Sequence, residues 1–408
     1  MAFSIRGSLK RAVRNFADPV VCFPEAHNLE KLAASREWSF EEILPSSIQV
    51  CPGARAMSGD FLAWVDQGQQ ILRAHRDADR GPEFARHWAS HLHSVYRYPM
   101  DRVFRCAIPG AFVLSHGGGV LSPEKEILRE AFFISNLLRK SQVPDPWPRP
   151  LEGKFISLLT IWGDRNLGHF FFDAMLRTAI FDNLKDYRFL VPGNLLPWHC
   201  GLLEIAGIRT EQIVPVRDRV VAVEELHACH ISNSGSMPRK ELLLKFRGRA
   251  RKAAGVAENT KPFRKLFIDR SDAKRRKLVN QRELEKVLDA RGFELIRWEA
   301  HSMAEQIRIA SETSVMAGPH GTNLLNSIYC QPGAKLMEII NPLWWDAATL
   351  RQASLVGHEF WYCFGADASP EHDTRIAPDK LARVLDYMLE ADVCEVPPEE
   401  TGREVRTF

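Results

Sequence analysis

Two histidine neighbourhoods and one arginine cluster carry most of the chemistry open to this sequence. The stretch 313–326, TSVMAGPHGTNLLN, reads as a buried strand that stops at Gly318 and turns into a helix starting near Gly321. Such a junction leaves backbone N–H groups unpaired and puts the positive end of a helix dipole at the carboxyl edge of a sheet, a seat for a phosphate. Gly318, Gly321 and Thr322 form the turn. His320 stands within it, where an imidazole can donate to the same anion. The plainer reading is an ordinary strand-to-helix turn with a surface histidine.

A second cluster follows an apolar run at 265–269. In the segment DRSDAKRRKLVN, 269–280, Arg270 sits at a strand's carboxyl edge and Arg276 lies in the same loop. Two guanidinium groups delivered there can clamp a diphosphate bidentately. The plainer reading is a solvated basic run. Nucleic acid is disfavoured, because neither interleaved aromatics nor a recognised binding motif accompanies these charges, and the formal net charge is only +3.

The third group lies in the other half of the chain. There GHFFFD, 168–173, opens a helix directly after a strand, and His169 and Asp173, four residues apart, share a face. The carboxylate can orient the imidazole or raise its basicity, as a general base requires. Alternatively the three phenylalanines face the core and the polar pair only caps the first turn. His227 and His230 flank Cys229 on an expected strand with no third ligand nearby, which argues against a metal. His87, His91 and His93 read as a decorated helix end. Trp344 and Trp345 can stack on a base or sugar, or fill core. The HGGG string at 116–119 resembles an esterase oxyanion loop, but no G-x-S-x-G elbow exists, so a hairpin turn is expected.

These residues need a scaffold. A chain of 408 residues exceeds what one core organises, so two domains are expected, and 45% hydrophobic with 26% charged residues fits a globular enzyme. Eight scattered cysteines without a C-x-x-C pair fit a reducing compartment, and the expected location is cytoplasmic. No apolar run reaches about eighteen residues, so no transmembrane helix is expected. Residues 1–18 carry a basic amphipathic pattern that packs on the protein body or makes peripheral contact with an inner-membrane surface.

Along the chain, 1–100 reads as an irregular helical extension, and 102–135 as a β-meander around the glycine turn. Between 101 and 256 an α/β domain is expected, with strands at 155–162, 188–191, 212–216 and 219–222 and helices after Asn166 and near 198–206 and 239–255. A linker at 257–262 leads to a second domain, 257–375. Its strands are expected at 265–269, 293–297, 313–317, 335–340 and 359–364, with helices at 281–290, 303–311, 321–330 and 346–356. A helix at 378–391 and a disordered tail complete the region 376–408. This rhythm predicts two doubly wound parallel sheets with ligands beyond the strand carboxyl ends, in a cleft between the halves.

Three blocks together resemble glycosyltransferase family 61. GHFFFDAMLR at 168–177 is similar to that family's Y-x-H-W-x-x-D-x-L-P-R, and FIDRSDAKRRKLVN at 267–280 to its I-S-R-x-x-A-x-x-R-x-I-x-N-E. The segment 302–339 resembles S-F-x-E-Q followed by G-x-H-G-A-G-L-x-N and P-G-x-x-x-I-E. Here Asp269 replaces a serine, Gln281 an acid and Asn323 a glycine, and Thr178 stands near the expected proline-arginine. The resemblance implies a GT-B fold of two facing Rossmann-like domains. It also implies inverting glycosyl transfer without a metal or other cofactor, from a nucleoside-diphosphate sugar, uridine diphosphate being the expected carrier, to a glycan or polysaccharide acceptor such as a capsule. Arg270, Arg276, His320 and the Gly321 amide would stabilise the departing diphosphate. Glu338 would accept from ribose hydroxyls, Gln306 and Asn326 would hold the loop or the donor, and His169 or Asp173 would act as base. A sugar-nucleotide-binding scaffold without catalysis is the alternative.

Overall fold

The computed structural model describes residues 25–26, 28–50, 97–128, 130, 143–231, 238–341, 344 and 348–390. The basic segment 1–18, most of 19–96, the histidines at 87, 91 and 93, Trp345 and the tail beyond 390 lie outside the described residues. The chain divides into two compact units at Ala254–Gly255. Residues 28–48 and 99–254 belong to the first and 255–390 to the second.

The first unit is built on a ten-stranded mixed sheet. Leu151–Ser157, Arg188–Pro192 and Ile213–Val216 run parallel in that order, and Val220–His230 lies parallel on the other side of Leu151–Ser157. The long strand then pairs antiparallel with Val103–Pro109 and with Phe112–Leu114. This half is therefore not a purely parallel sheet, in contrast to the expectation from its strand–helix rhythm. The meander is present: Phe112–Leu114, Val120–Leu121 and Ile127–Leu128 pair antiparallel in sequence. Its turn is the expected glycine string, with Gly117 at φ 88° and Gly118 at φ 71°, conformations that glycine adopts without a Cβ penalty. Phe40–Leu44, from the region expected to be irregular, adds to the sheet as an antiparallel partner of Val103–Pro109.

The expected strand at 155–162 is displaced. Leu151–Ser157 is the strand, and 158–166 forms a loop from its carboxyl end to the next helix. The apolar run misleads because Leu158 and Leu159, though past the end of the strand, are buried. Asn166 then caps the helix as its residue type suggests, its side chain accepting from the His169 N–H.

The second unit is a five-stranded, wholly parallel sheet. Its spatial order is Glu294–Ile296, Arg264–Ile268, Thr313–Pro319, Lys335–Ile340 and Glu359–Phe364, or 2-1-3-4-5 in chain order. Helices Gln281–Asp289, Met303–Ser311, Ala348–Val356 and Pro378–Glu390 fall where the apolar period places them. Phe267, Ala317, Met337 and Ile339 make its core with Leu284, Leu288, Leu381 and Leu385 from two helices. Order 2-1-3-4-5 is Rossmann-like, and its chain reversal falls between the first and third strands. The loops after those two strands begin at Asp269 and His320.

Candidate functional site

At the carboxyl edge of the second sheet, the close approach of the first and third strands is set by a glycine. A Cβ on Gly318 would lie 2.9 Å from the Cβ of Ile268, so any larger residue would push the strands apart. The chain then passes through His320, whose N–H donates to Ile339 O at 2.9 Å, and through Gly321 at φ 153°. Above Gly321 lies Arg270: a Cβ there would sit 2.5 Å from an Arg270 terminal nitrogen. Only the missing side chain lets the guanidinium close over the turn.

Arg270 is 7% exposed. One terminal nitrogen donates to Asn323 Oδ1 at 2.8 Å and the other to Arg275 O at 3.4 Å, while buried Nε has no hydrogen-bond partner among the described residues. Burial, and then the positive charge of Arg276, bring its pKa down to about 10. Arg276 is held at φ 56° with its N–H on Glu371 O at 3.2 Å. Two guanidinium groups are thus crowded together in a partly dry site, which an anion would relieve.

His320 and Glu338 are both buried, and His320 Nδ1 lies 2.7 Å from Glu338 Oε1, which also accepts from Thr349 Oγ1 at 2.7 Å. Glu338, expected to accept from ribose hydroxyls, is fully buried in this structure with its carboxylate against the imidazole. Gln306 and Asn326 hold the loop: Asn326 Nδ2 donates to Gln306 Oε1 at 2.9 Å, and Gln306 Nε2 donates to Trp298 O and His301 O. Thr322 opens the helix Thr322–Tyr329, which winds as a 3₁₀ helix rather than an α-helix.

The departures from the family pattern find partners here. Trp298 Nε1 donates to Asn323 O at 2.8 Å, so Asn323 anchors both Arg270 and a tryptophan. Asp269 accepts from Arg297 and from the Ser271 N–H, and the Gln281 side chain bonds to it as well. These contacts together outweigh burial and lower the pKa of Asp269.

The first unit holds the other candidate pair. His169 Nδ1 is 2.8 Å from Asp173 Oδ2; the ring is partly exposed, the carboxylate 6% exposed. Phe170, Phe171 and Phe172 are buried, as the plainer reading expected, while the first turn is capped by Asn166 rather than by the polar pair. It changes winding at this point, with a π-helical turn over Phe170–Ala174 and a 3₁₀ turn over Met175–Ile180. Such turns often mark functional positions. One turn further in, buried Arg177 donates to Ser157 O at 2.7 Å and to Leu159 O at 3.3 Å. Burial lowers its pKa, opposed by the neighbouring Cys229 and Asp173. The sequence alone does not single out Arg177, eight residues after His169 across two changes of winding.

Other candidates separate from both groups. His227 pairs with Glu225 at 2.7 Å, and burial holds both His227 and His230 below the ordinary histidine value. Among the described residues no group of three His, Cys, Asp or Glu side chains is arranged to hold a metal, and no helix is long and apolar enough to cross a membrane. Trp344 is exposed rather than core, its ring stacked on His372 at 5.2 Å.

Order 2-1-3-4-5, with the buried guanidinium of Arg270 where the chain reverses, makes the second unit a Rossmann-like α/β fold. Residues 167–337 match the family described as Glycosyltransferase 61; this stretch is similar to that family, and the match supports a glycosyltransferase acting on a donor sugar and an acceptor. No curated protein matches the chain.

Proposed function

We propose that the protein is an inverting, metal-independent glycosyltransferase of the GT-B type. It moves a sugar from a nucleoside-diphosphate sugar, with uridine diphosphate as carrier, to a hydroxyl of a glycan in polysaccharide biosynthesis in the cytoplasm. The observation that carries this reading is the guanidinium of Arg270, buried over Gly321 with Nε unmatched and Arg276 beside it. A diphosphate supplies the missing acceptors and the missing negative charge.

In the reaction the acceptor oxygen attacks the anomeric carbon, and the bond from that carbon to the diphosphate breaks with its electron pair on the leaving oxygen. Charge grows on the diphosphate as the sugar gains oxocarbenium character. Arg270, Arg276, His320 and the Gly321 N–H stabilise that charge, fixed in place before the donor arrives. Glu338 and Asn323 hold the imidazole and the guanidinium in position.

A single displacement needs one base for the acceptor proton. His169 takes it at Nε2, because Asp173 Oδ2 engages Nδ1 at 2.8 Å. That division of roles is the logic of a carboxylate-oriented histidine, and such a base contributes roughly a hundred- to ten-thousandfold.

The test is slow donor hydrolysis, in which water replaces the acceptor. Purified protein in chelator should hydrolyse one sugar nucleotide, and Arg270→Ala should abolish this. Failure to turn over or bind any member of a panel of nucleoside-diphosphate sugars would refute the reading. In a thermal-shift screen, a melting rise of several degrees with one nucleoside diphosphate alone identifies the base of the carrier.

A further inference from the structure

Trp162 stands in the loop after strand Leu151–Ser157 at φ 62°, a left-handed conformation that a bulky side chain rarely adopts. It is also 41% exposed. Burial does not explain the residue, and the backbone there would suit glycine better. Backbone strain of this kind gathers at ligand clamps, where the surroundings over-determine it.

The surroundings do so here. Trp162 O accepts from the N–H groups of Arg165 at 3.1 Å and Asn166 at 2.9 Å, and Gly163 N–H donates to Thr160 O at 3.2 Å. Gly163 O accepts from His199 Nε2 at 2.8 Å, while Leu196 N–H donates to His199 Nδ1 at 2.9 Å. A Cβ at Gly163 would come within 2.6 Å of Thr160 Cγ2, so the loop is tight as well as tied. The backbone that carries the indole therefore has a fixed place. Its ring centre lies 4.9 Å from that of His169, tilted by 59°, and the neighbouring side chains Asp164 and Arg165 are exposed.

We propose that Trp162 is the stacking platform for a pyranose ring of the acceptor, with Asp164 and Arg165 bonding its hydroxyls. A pyranose has one face of C–H bonds that lies against an aromatic ring and a rim of hydroxyls that needs charged or amide partners. An exposed indole with a carboxylate and a guanidinium two and three residues further along the same loop offers both. It does so beside the imidazole that takes the acceptor proton under the function proposed above, on which this assignment of the ring to the acceptor rests. A flexible or buried tryptophan would not require the strained backbone. Rigid aromatic contacts lose little side-chain freedom on binding, which is why they recur at recognition surfaces.

The test uses the full chain and a panel of p-nitrophenyl pyranosides of glucose, galactose, xylose and N-acetylglucosamine. Binding is followed by saturation-transfer NMR and isothermal titration. At least one glycoside should bind the native protein saturably. Trp162→Ala should weaken it at least tenfold, Trp162→Phe should retain most of it, and Asp164→Asn should weaken it less than Trp162→Ala. Trp162→Gly should melt no lower than the native protein while losing the glycoside. The proposal is overturned if no pyranoside binds, if Trp162→Ala binds as the native protein does, or if Trp162→Gly melts well below it with binding kept. Donor hydrolysis by the native protein reports on the proposed function separately, so the two ideas fail independently.

Discussion

At the scale of single residues, Arg270 is a buried cation closed over the glycine turn at Gly321. Replacing it by alanine removes a desolvated, charge-assisted contact, which should weaken nucleoside-diphosphate binding roughly a hundredfold by titration calorimetry. Lysine keeps the charge but not the planar fork and should lose about tenfold. Asn323→Ala leaves the guanidinium without its 2.8 Å anchor and should cost about 1–2 kcal/mol, roughly five- to thirtyfold in the same affinity. The pKa of Arg270 near 10 gives a pH signature. Its protonated form is the one that binds an anion, so diphosphate affinity should hold steady from pH 7 to 9 and fall as pH rises through about 10. An affinity that stays level to pH 11 would contradict this. The sequence indicated Arg270 and His320 from their place after apolar runs. It could not indicate Asn323 as the partner of Arg270, because a hydrogen bond across 53 positions leaves no local mark.

At the scale of elements, the helix Thr322–Tyr329 and the turn before it decide whether the anion seat keeps its shape. Gly321→Ala puts a Cβ into the guanidinium of Arg270 and into a backbone conformation glycine favours, so it should lower both melting temperature and diphosphate affinity. Asn326→Ala breaks the link to Gln306 and leaves buried polar atoms unmatched; chemical denaturation should show a loss of about 1–3 kcal/mol. The five strands of the second sheet were legible as apolar runs between polar loops, since a parallel strand is covered on both faces. In the first sheet the same signal placed a strand over 155–162, yet the strand ends at Ser157 and the leucines after it are buried within a loop. Burial and strand pairing coincide often but not always. The left-handed conformation of Trp162 has no sequence signal at all, since tryptophan has no preference for it.

At the scale of the whole molecule, one buried and two partly buried histidines bear on the response to acid. Burial holds His199, His227 and His230 below the ordinary value. The unfolded chain takes up protons at these positions near pH 6.5 while the folded chain does not, so the unfolded state gains as pH falls. Stability should be level above about pH 7 and decline as pH drops through about 6.5 toward the lower folded values. A melting temperature unchanged between pH 7.5 and 5.5 would contradict this. For His199 burial outweighs the Gly163 carbonyl and the charge of Asp164, which act in the opposite direction. The class of the second sheet was readable from the order of its runs, whereas the mixed character of the first was not, since parallel and antiparallel neighbours use the same residue types.

The crowding of Arg270 and Arg276 bears on how the enzyme is handled. With substrate absent, multivalent buffer salts such as sulfate, pyrophosphate or citrate are the nearest competitors for that pair of like charges. They should raise the melting temperature and, at the same concentrations, suppress turnover, so activity surveys in phosphate would understate the enzyme and those in HEPES would not.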